Sequence, residues 1–204
     1  KNYLFVDGRY TLQASNQSGR SFKIITIPDK MPGDILKGKK LSIGFDPNLF
    51  TQKTLSVFFG KNQCKFKPLL KNLVDEIWKR KTKKNNNKFY FLPNNSVSER
   101  YQFKVNKISN YLKKKKTDFL LVTASENNAW LLNIRGRDAK YAPIPFSYIL
   151  IDKNKKIKFF CDLKKISSSF KKKFKKISFL DIKNCTKILL NIKKRKFIID
   201  DNTC

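Results

Sequence analysis

Histidine is missing altogether from this 204-residue chain, and its absence removes the commonest nitrogen ligand for a metal. Cysteine cannot easily take its place. The four cysteines, Cys64, Cys161, Cys185 and Cys204, are too far apart for a CxxC metal or redox motif. A zinc site would need them to converge from distant places, and free thiols are expected instead. Long apolar runs are also missing. No stretch reaches the roughly 20 apolar residues of a membrane span, and Lys1-Asn2 does not open a signal peptide. The sequence therefore reads as soluble and cytoplasmic. There is no initiator methionine, and the strand-like Tyr3-Leu4-Phe5-Val6 begins at once. The chain is expected to start inside a domain, as a fragment.

Acidic residues are scarce. Fifteen Asp and Glu stand against 46 Lys and Arg, a net charge of +31 that invites a nucleic-acid partner. Arginine is scarce as well, at seven of those 46. Lysine supplies charge without the planar fork that reads phosphates and bases. The lysines also accompany abundant Asn, Ile, Phe and Tyr, as an AT-rich genome produces. The charge is thus read as compositional and a nucleic-acid partner is not expected, although weak, salt-sensitive DNA binding stays open.

The apolar content, 40%, is enough for real cores, and the tract over residues 79–95 divides the chain. It runs Lys-Arg-Lys-Thr-Lys-Lys-Asn-Asn-Asn-Lys and later Pro93-Asn94-Asn95, which cannot repay its ordering entropy by burial. This reading gives a first domain over 1–80, a linker over 81–95 and a second domain over 96–204. In the first domain, strands are expected at 3–6, 22–27 and 41–45, helices at 10–17 and 51–59, and a closing segment at 69–79. In the second, Ser96 with Glu99 suggests a capping box. Tyr101, Val105, Ile108 and Leu112 form one apolar stripe, with Lys104, Lys107 and Asn110 off it. Strands are expected at 118–123, 146–152, 157–162, 187–191 and 196–199, with a hairpin turn at 153–155 and a basic helix at 167–176 whose lysines form a solvated face. Membrane contact is the lesser alternative for that helix. Alternating strands and helices make the fold α/β.

The most specific segment is Ala129-Trp130-Leu131-Leu132-Asn133-Ile134-Arg135-Gly136-Arg137-Asp138, continued by Tyr141-Ala142-Pro143-Ile144-Pro145-Phe146-Ser147-Tyr148. Physically it reads as a buried helix end followed by a turn at Gly136. It resembles the Ala-Trp-Leu-Leu-Asn-Leu-Arg-Gly-Ser-Asp and Asn-Pro-Val-Phe-x-Ser-Tyr blocks of cytosolic-type Xaa-Pro aminopeptidase (aminopeptidase P), of the creatinase/pita-bread metallopeptidase family. A second anchor, Phe5-Val6-Asp7-Gly8-Arg9-Tyr10-Thr11-Leu12-Gln13-Ala14, resembles that family's Thr-Asp-Gly-Arg-Tyr-Phe-Leu-Gln-Ala segment. Ile43-Gly44-Phe45-Asp46-Pro47 and the run from Asn72 to Trp78 look like two more landmarks in the same order. Ser125-Glu126-Asn127-Asn128 departs from the family's Leu-Asp-(Asp/Glu)-Ile, and Arg137 stands where serine is common. Pro145 cannot donate to a ladder, so the strand there should begin at Phe146 or lie at an edge.

The resemblance implies two creatinase-N-terminal-like α/β domains with mixed β-sheets flanked by helices, the first incomplete at its N-terminus. A pita-bread catalytic domain would lie downstream. In the family that domain holds two divalent ions, typically manganese, on two aspartates, a histidine and two glutamates. No metal ligand or catalytic residue is expected in this chain. The family's Asp-Gly-Arg-Tyr arginine contributes to peptide binding, which makes Arg9 the candidate substrate contact, oriented by Asp7. An Asp-Arg pair that only braces a turn is the alternative. Arg135 and Asp138 are read as structural.

The implied partners are a peptide with penultimate proline, the downstream domain and further copies of the parent enzyme. Whether this chain itself counts as an enzyme is left open. Its expected function is the non-catalytic N-terminal part of an Xaa-Pro aminopeptidase, shaping substrate access and subunit contacts. The alternatives are a freestanding interaction module of the same fold and a basic nucleic-acid-binding protein.

Overall fold

The computed structural model describes residues 2–60, 62–78 and 85–203. The chain divides into two compact units, residues 1–80 and 81–203. The start of the charged tract, residues 79–84, lies outside the described residues.

The first unit is built from two strand–helix–strand repeats. Strand β1 (Tyr3–Asp7) pairs in parallel with β2 (Lys23–Ile27) across helix α1 (Thr11–Ser18). After the short α2 (Pro32–Leu36), β3 (Ser42–Phe45) pairs in parallel with β4 (Lys65–Pro68) across α3 (Gln52–Phe59). Parallel neighbours need a crossover of this kind, because a tight hairpin cannot return the chain in the same direction. Thr51 starts α3 with its hydroxyl accepting the Thr54 N–H. The closing segment is the short α4 (Leu73–Ile77), capped by Asn72. Two elements of this unit escaped the sequence reading, α2 and β4. Each is only four or five residues long, too short for a period to show.

The second unit carries the larger core. Its elements are β5 (Tyr90–Phe91), α5 (Tyr101–Lys114), β6 (Phe119–Val122), α6 (Ser125–Leu132), β7 (Ile134–Arg135), β8 (Ser147–Asp152), β9 (Ile157–Cys161), α7 (Ser168–Lys173), β10 (Ile177–Asp181), α8 (Cys185–Leu190) and β11 (Phe197–Ile198). Five strands form one mixed sheet in the order β10-β9-β8-β6-β11, parallel at both edges and antiparallel in the middle. Side-chain alternation sorts its two faces. Ile149, Ile151, Phe159 and Cys161 join Val105, Leu131, Leu132, Phe170 and Phe174 on one side. Leu150 and Phe160 face the other, against Cys185, Ile188 and Leu189 of α8.

Several expectations change against this frame. Phe89 and the β5 strand belong to the second unit rather than to a linker: Phe89 is 3% exposed in the core, and Phe91 pairs with Ile134. A single large aromatic outweighs the polar residues around it. Ser96 and Glu99 form no capping box, since α5 starts at Tyr101 and Glu99 instead pairs with Lys107 at 2.7 Å. Residues 187–191, expected as a strand, are mostly helical within α8. A run of three apolar residues fits either element, and packing of Ile188 and Leu189 on the sheet face decides it. Lys104, placed off the stripe, is 5% exposed. The stripe itself holds, with Val105 at 3% and Leu112 at 0%.

Candidate functional site

Arg9 lies where β1 ends. Asp7 leaves the strand with extended backbone, and its Oδ1 accepts the Arg9 N–H at 2.9 Å, capping the one-turn helix over Gly8–Tyr10. The same carboxylate takes the guanidinium in a fork: Nε donates to Oδ1 at 2.9 Å and Nη2 to Oδ2 at 3.2 Å. That hydrogen bond holds the Asp7 carboxyl below its usual range and raises Arg9 further. The side chain is 81% exposed. Two of the five guanidinium donors are engaged by Asp7, which orients the rest toward solvent. An exposed, pre-oriented fork can receive a carboxylate or carbonyl, and it can equally brace a turn. The geometry contains both readings.

The other two landmarks of the first unit meet. Asn72 donates to the Asp46 carboxylate at 2.7 Å, and this bond, with the Asn48 N–H, lowers the Asp46 pKa. They tie the end of β3 to the start of α4.

In the second unit the block from Ala129 to Asp138 is a structural clamp. Leu131 and Leu132 are buried at 2%, and Asn133 ends α6 in the left-handed conformation at φ 55°, which asparagine tolerates better than most residues. Lys104 of α5 donates to the Trp130 carbonyl at 2.6 Å and to Asn133 Oδ1 at 2.7 Å, with its ammonium 4.1 Å from the Trp130 ring centre. Burial holds that ammonium below the usual lysine range. Arg135 donates to the carbonyls of Ile134 and Ala129, closing the turn. Gly136 is required by close approach, not by a left-handed turn: a Cβ there would lie 2.7 Å from Pro145 Cα and 2.8 Å from the Ile144 carbonyl oxygen. Asp138 pairs with Lys165 and accepts the Phe146 N–H at 2.7 Å just before β8. Pro145 thus sits outside the ladder, and the strand starts at Ser147.

Sequence reasoning missed Lys104, Lys165 and the buried Asn128, which donates to the Ser147 carbonyl at 2.6 Å. Each is a polar side chain whose partner is distant in the chain, so no local spacing announces it. Cys64, Cys161 and Cys185 are free thiols. Among the described residues no three His, Cys, Asp or Glu side chains come together as a metal site. With no histidine either, the residues present do not fit a pair of divalent ions.

A mixed sheet with helices on both faces, braced by a clamp at the end of α6, defines the second unit as an α/β domain, and the first is a pair of parallel strand–helix–strand repeats. The chain belongs to the Creatinase/Prolidase N-terminal domain family, which matches residues 80–204. It is similar to the probable Xaa-Pro aminopeptidase P of Laccaria bicolor, 31% identical over 169 residues, covering 78% of this chain and 26% of that protein. It is also similar to the Xaa-Pro aminopeptidase of Caenorhabditis elegans, 31% identical over 185 residues, covering 85% and 30%. A solved structure of the X-prolyl aminopeptidase from Caenorhabditis elegans, a cytosolic enzyme with a di-nuclear active site, superposes with a TM-score of 0.79 at 29% identity. That match covers 93% of this chain and 32% of that one. The chain therefore spans about a quarter to a third of the length of these relatives.

Proposed function

We propose that this chain is the non-catalytic N-terminal part of an Xaa-Pro aminopeptidase, a metallopeptidase that removes the residue ahead of a penultimate proline. One observation carries the reading: the match extends over both units of this chain yet takes up less than a third of each relative, while the chain has no histidine. The hydrolytic centre, with its two divalent ions, manganese by family analogy, belongs to a downstream domain. Bound metal would supply an activated hydroxide there. This part contributes substrate restriction and subunit contacts to a cytoplasmic homo-oligomer. Arg9 is its peptide contact, held by Asp7 with donors to spare.

Two tests bear on this. Extending the reading frame beyond Cys204 should reveal two aspartates, a histidine and two glutamates in an open frame. An immediate stop would instead favour a freestanding module. In the extended enzyme, Arg9→Ala should impair turnover while the melting temperature changes little, since solvent screens an exposed pair. Arg9→Lys should rescue poorly, because lysine keeps the charge and loses the fork. Normal kinetics with reduced stability would return Arg9 to a bracing role.

A further inference from the structure

The lysines of the second unit are not spread evenly. Three clusters far apart in sequence, residues 113–116 (Lys-Lys-Lys-Lys), 153–156 (Lys-Asn-Lys-Lys) and 193–196 (Lys-Lys-Arg-Lys), meet at one end of the five-stranded sheet. They are tied together there. The Lys153 N–H donates to the Asp118 carbonyl at 3.0 Å and the Asp118 N–H to the Lys196 carbonyl at 3.0 Å. Ser109 of α5 donates to the Lys153 carbonyl at 2.7 Å. The Asp118 carboxylate sits among them, 2.9 Å from Lys153 Nζ and 3.7 Å from Arg195.

The register extends the row to the far edge. Ile177 lies opposite Ile157, so Lys175 and Lys176 enter β10 beside the 153–156 turn. All five strands thus carry lysine at this end, over a width of roughly 20 Å at about 4.8 Å per strand. The opposite end differs. There the strands finish in Asp162, Asp181 and the Asp200-Asp201 pair, interspersed with Lys164, Lys165 and Lys183. Compositional drift alone would load both ends alike.

Backbone conformation points the same way. Lys116, Lys155 and Lys194, one from each cluster, have φ of 49°, 67° and 54°. Lys116 closes α5 in a Schellman arrangement, with the Thr117 N–H donating to the Leu112 carbonyl and the Lys116 N–H to that of Lys113. Glycine or asparagine suits such positions, and a left-handed lysine costs about 1 kcal/mol each. The fold tolerates this strain three times at the same rim, and each time the result is a solvent-facing cation. Lys113 and Lys114 have a bland explanation, the helix dipole; the 193–196 cluster starts three residues past the end of α8, and the 153–156 turn joins two strands with no helix before it.

We propose that this rim is a binding surface for the phosphate backbone of a nucleic acid. The three clusters hold eleven cations and no apolar residue. A membrane patch would need an apolar anchor beside the charge, and a protein interface would need an apolar centre. A row of flexible point charges suits phosphates along a strand, read without sequence preference.

The test uses the full chain and a labelled DNA oligonucleotide of about 20 nucleotides, followed by fluorescence anisotropy from about 50 to 300 mM NaCl. Lys116→Asn/Lys155→Asn/Lys194→Asn keeps the left-handed backbone, because asparagine tolerates it. A charge-matched control replaces exposed lysines elsewhere in the unit, Lys140→Asn/Lys164→Asn/Lys183→Asn. The rim variant is expected to bind at least roughly tenfold more weakly at about 100 mM salt, with the logarithmic salt slope reduced by about 2 to 3. The control should stay within about threefold of the parent, and melting curves should confirm that both variants fold. Absent binding by the parent chain, equal losses in rim and control variants, or equally tight binding to phosphatidylserine vesicles or polyglutamate would overturn the proposal.

Discussion

Asp138→Asn removes one charge from a buried ion pair and leaves its partner in place. The Asp138 and Lys165 side chains are 1% and 11% exposed, so solvent cannot take over the stranded ammonium. The substituted amide still offers an oxygen to the Phe146 N–H, so the hydrogen bond that starts β8 is retained and the charge is what is tested. Breaking such a pair on one side costs about 3–5 kcal/mol. In a unit of this size that lowers the melting temperature by roughly 12 to 20 °C. Thermal and urea melts followed by circular dichroism measure it. Asp138→Asn/Lys165→Met removes the stranded ammonium too, and should recover more than half of the loss. A loss under about 1 kcal/mol for the single variant, or a double variant no more stable than the single, would refute the claim that the Asp138 charge fixes the turn into the central strand.

Gly136→Ala should destabilise the second unit by about 2 kcal/mol or more in the same melts, because the added Cβ meets backbone of Pro145 and Ile144 that cannot rotate away. Cys161 is fully buried, with its thiol pushed up to about 12 mainly by that burial. Iodoacetamide near neutral pH should therefore label the half-exposed Cys64 first and reach Cys161 only on unfolding, which mass spectrometry of the peptides can show. The Asp118 carboxyl is held below its ordinary 3.8, chiefly by the hydrogen bond from Lys153 and then by the Lys196 N–H. A depressed carboxylate stabilises the fold above its unfolded pKa and loses that effect as pH falls through its folded pKa. The melting-temperature gap between the parent and Asp118→Asn should thus be present at about pH 7 and shrink as the pH falls below 3.8.

Much of the second unit was legible because its signals are local. The stripe from Tyr101 to Leu112 has helical spacing; Tyr101, Val105 and Ile108 pack in the core and Leu112 is fully buried. The turn at 153–155 joins β8 to β9 as the charge and polarity pattern suggests, with Lys155 in the left-handed conformation. What failed was decided by distant partners. Lys104 lies beside the stripe on α5 and looks solvated, yet the carbonyl of Trp130 and the amide of Asn133 await it. The capping box failed because Glu99 found Lys107 about two helical turns on, and the helix started later. Strand β10 went unseen since its Ile-Ser-Phe-Leu-Asp follows a lysine run with no turn residue to announce it. The candidate site divides the same way. The Asp7–Arg9 fork is two residues apart and could be expected, whereas the rim of lysines depends on strand order, which no spacing in the chain discloses.

On the proposed reading, this chain supports a peptidase without itself being one. Release of the N-terminal residue from a peptide with penultimate proline, measured for the pure chain and for the polypeptide extended through the downstream frame, tests it most directly. With manganese present, the extended polypeptide should turn over substrate and the 204-residue chain should not exceed the blank. Manganese-dependent turnover by the chain alone, or an inactive extended polypeptide that is folded and metal-loaded, would contradict the account.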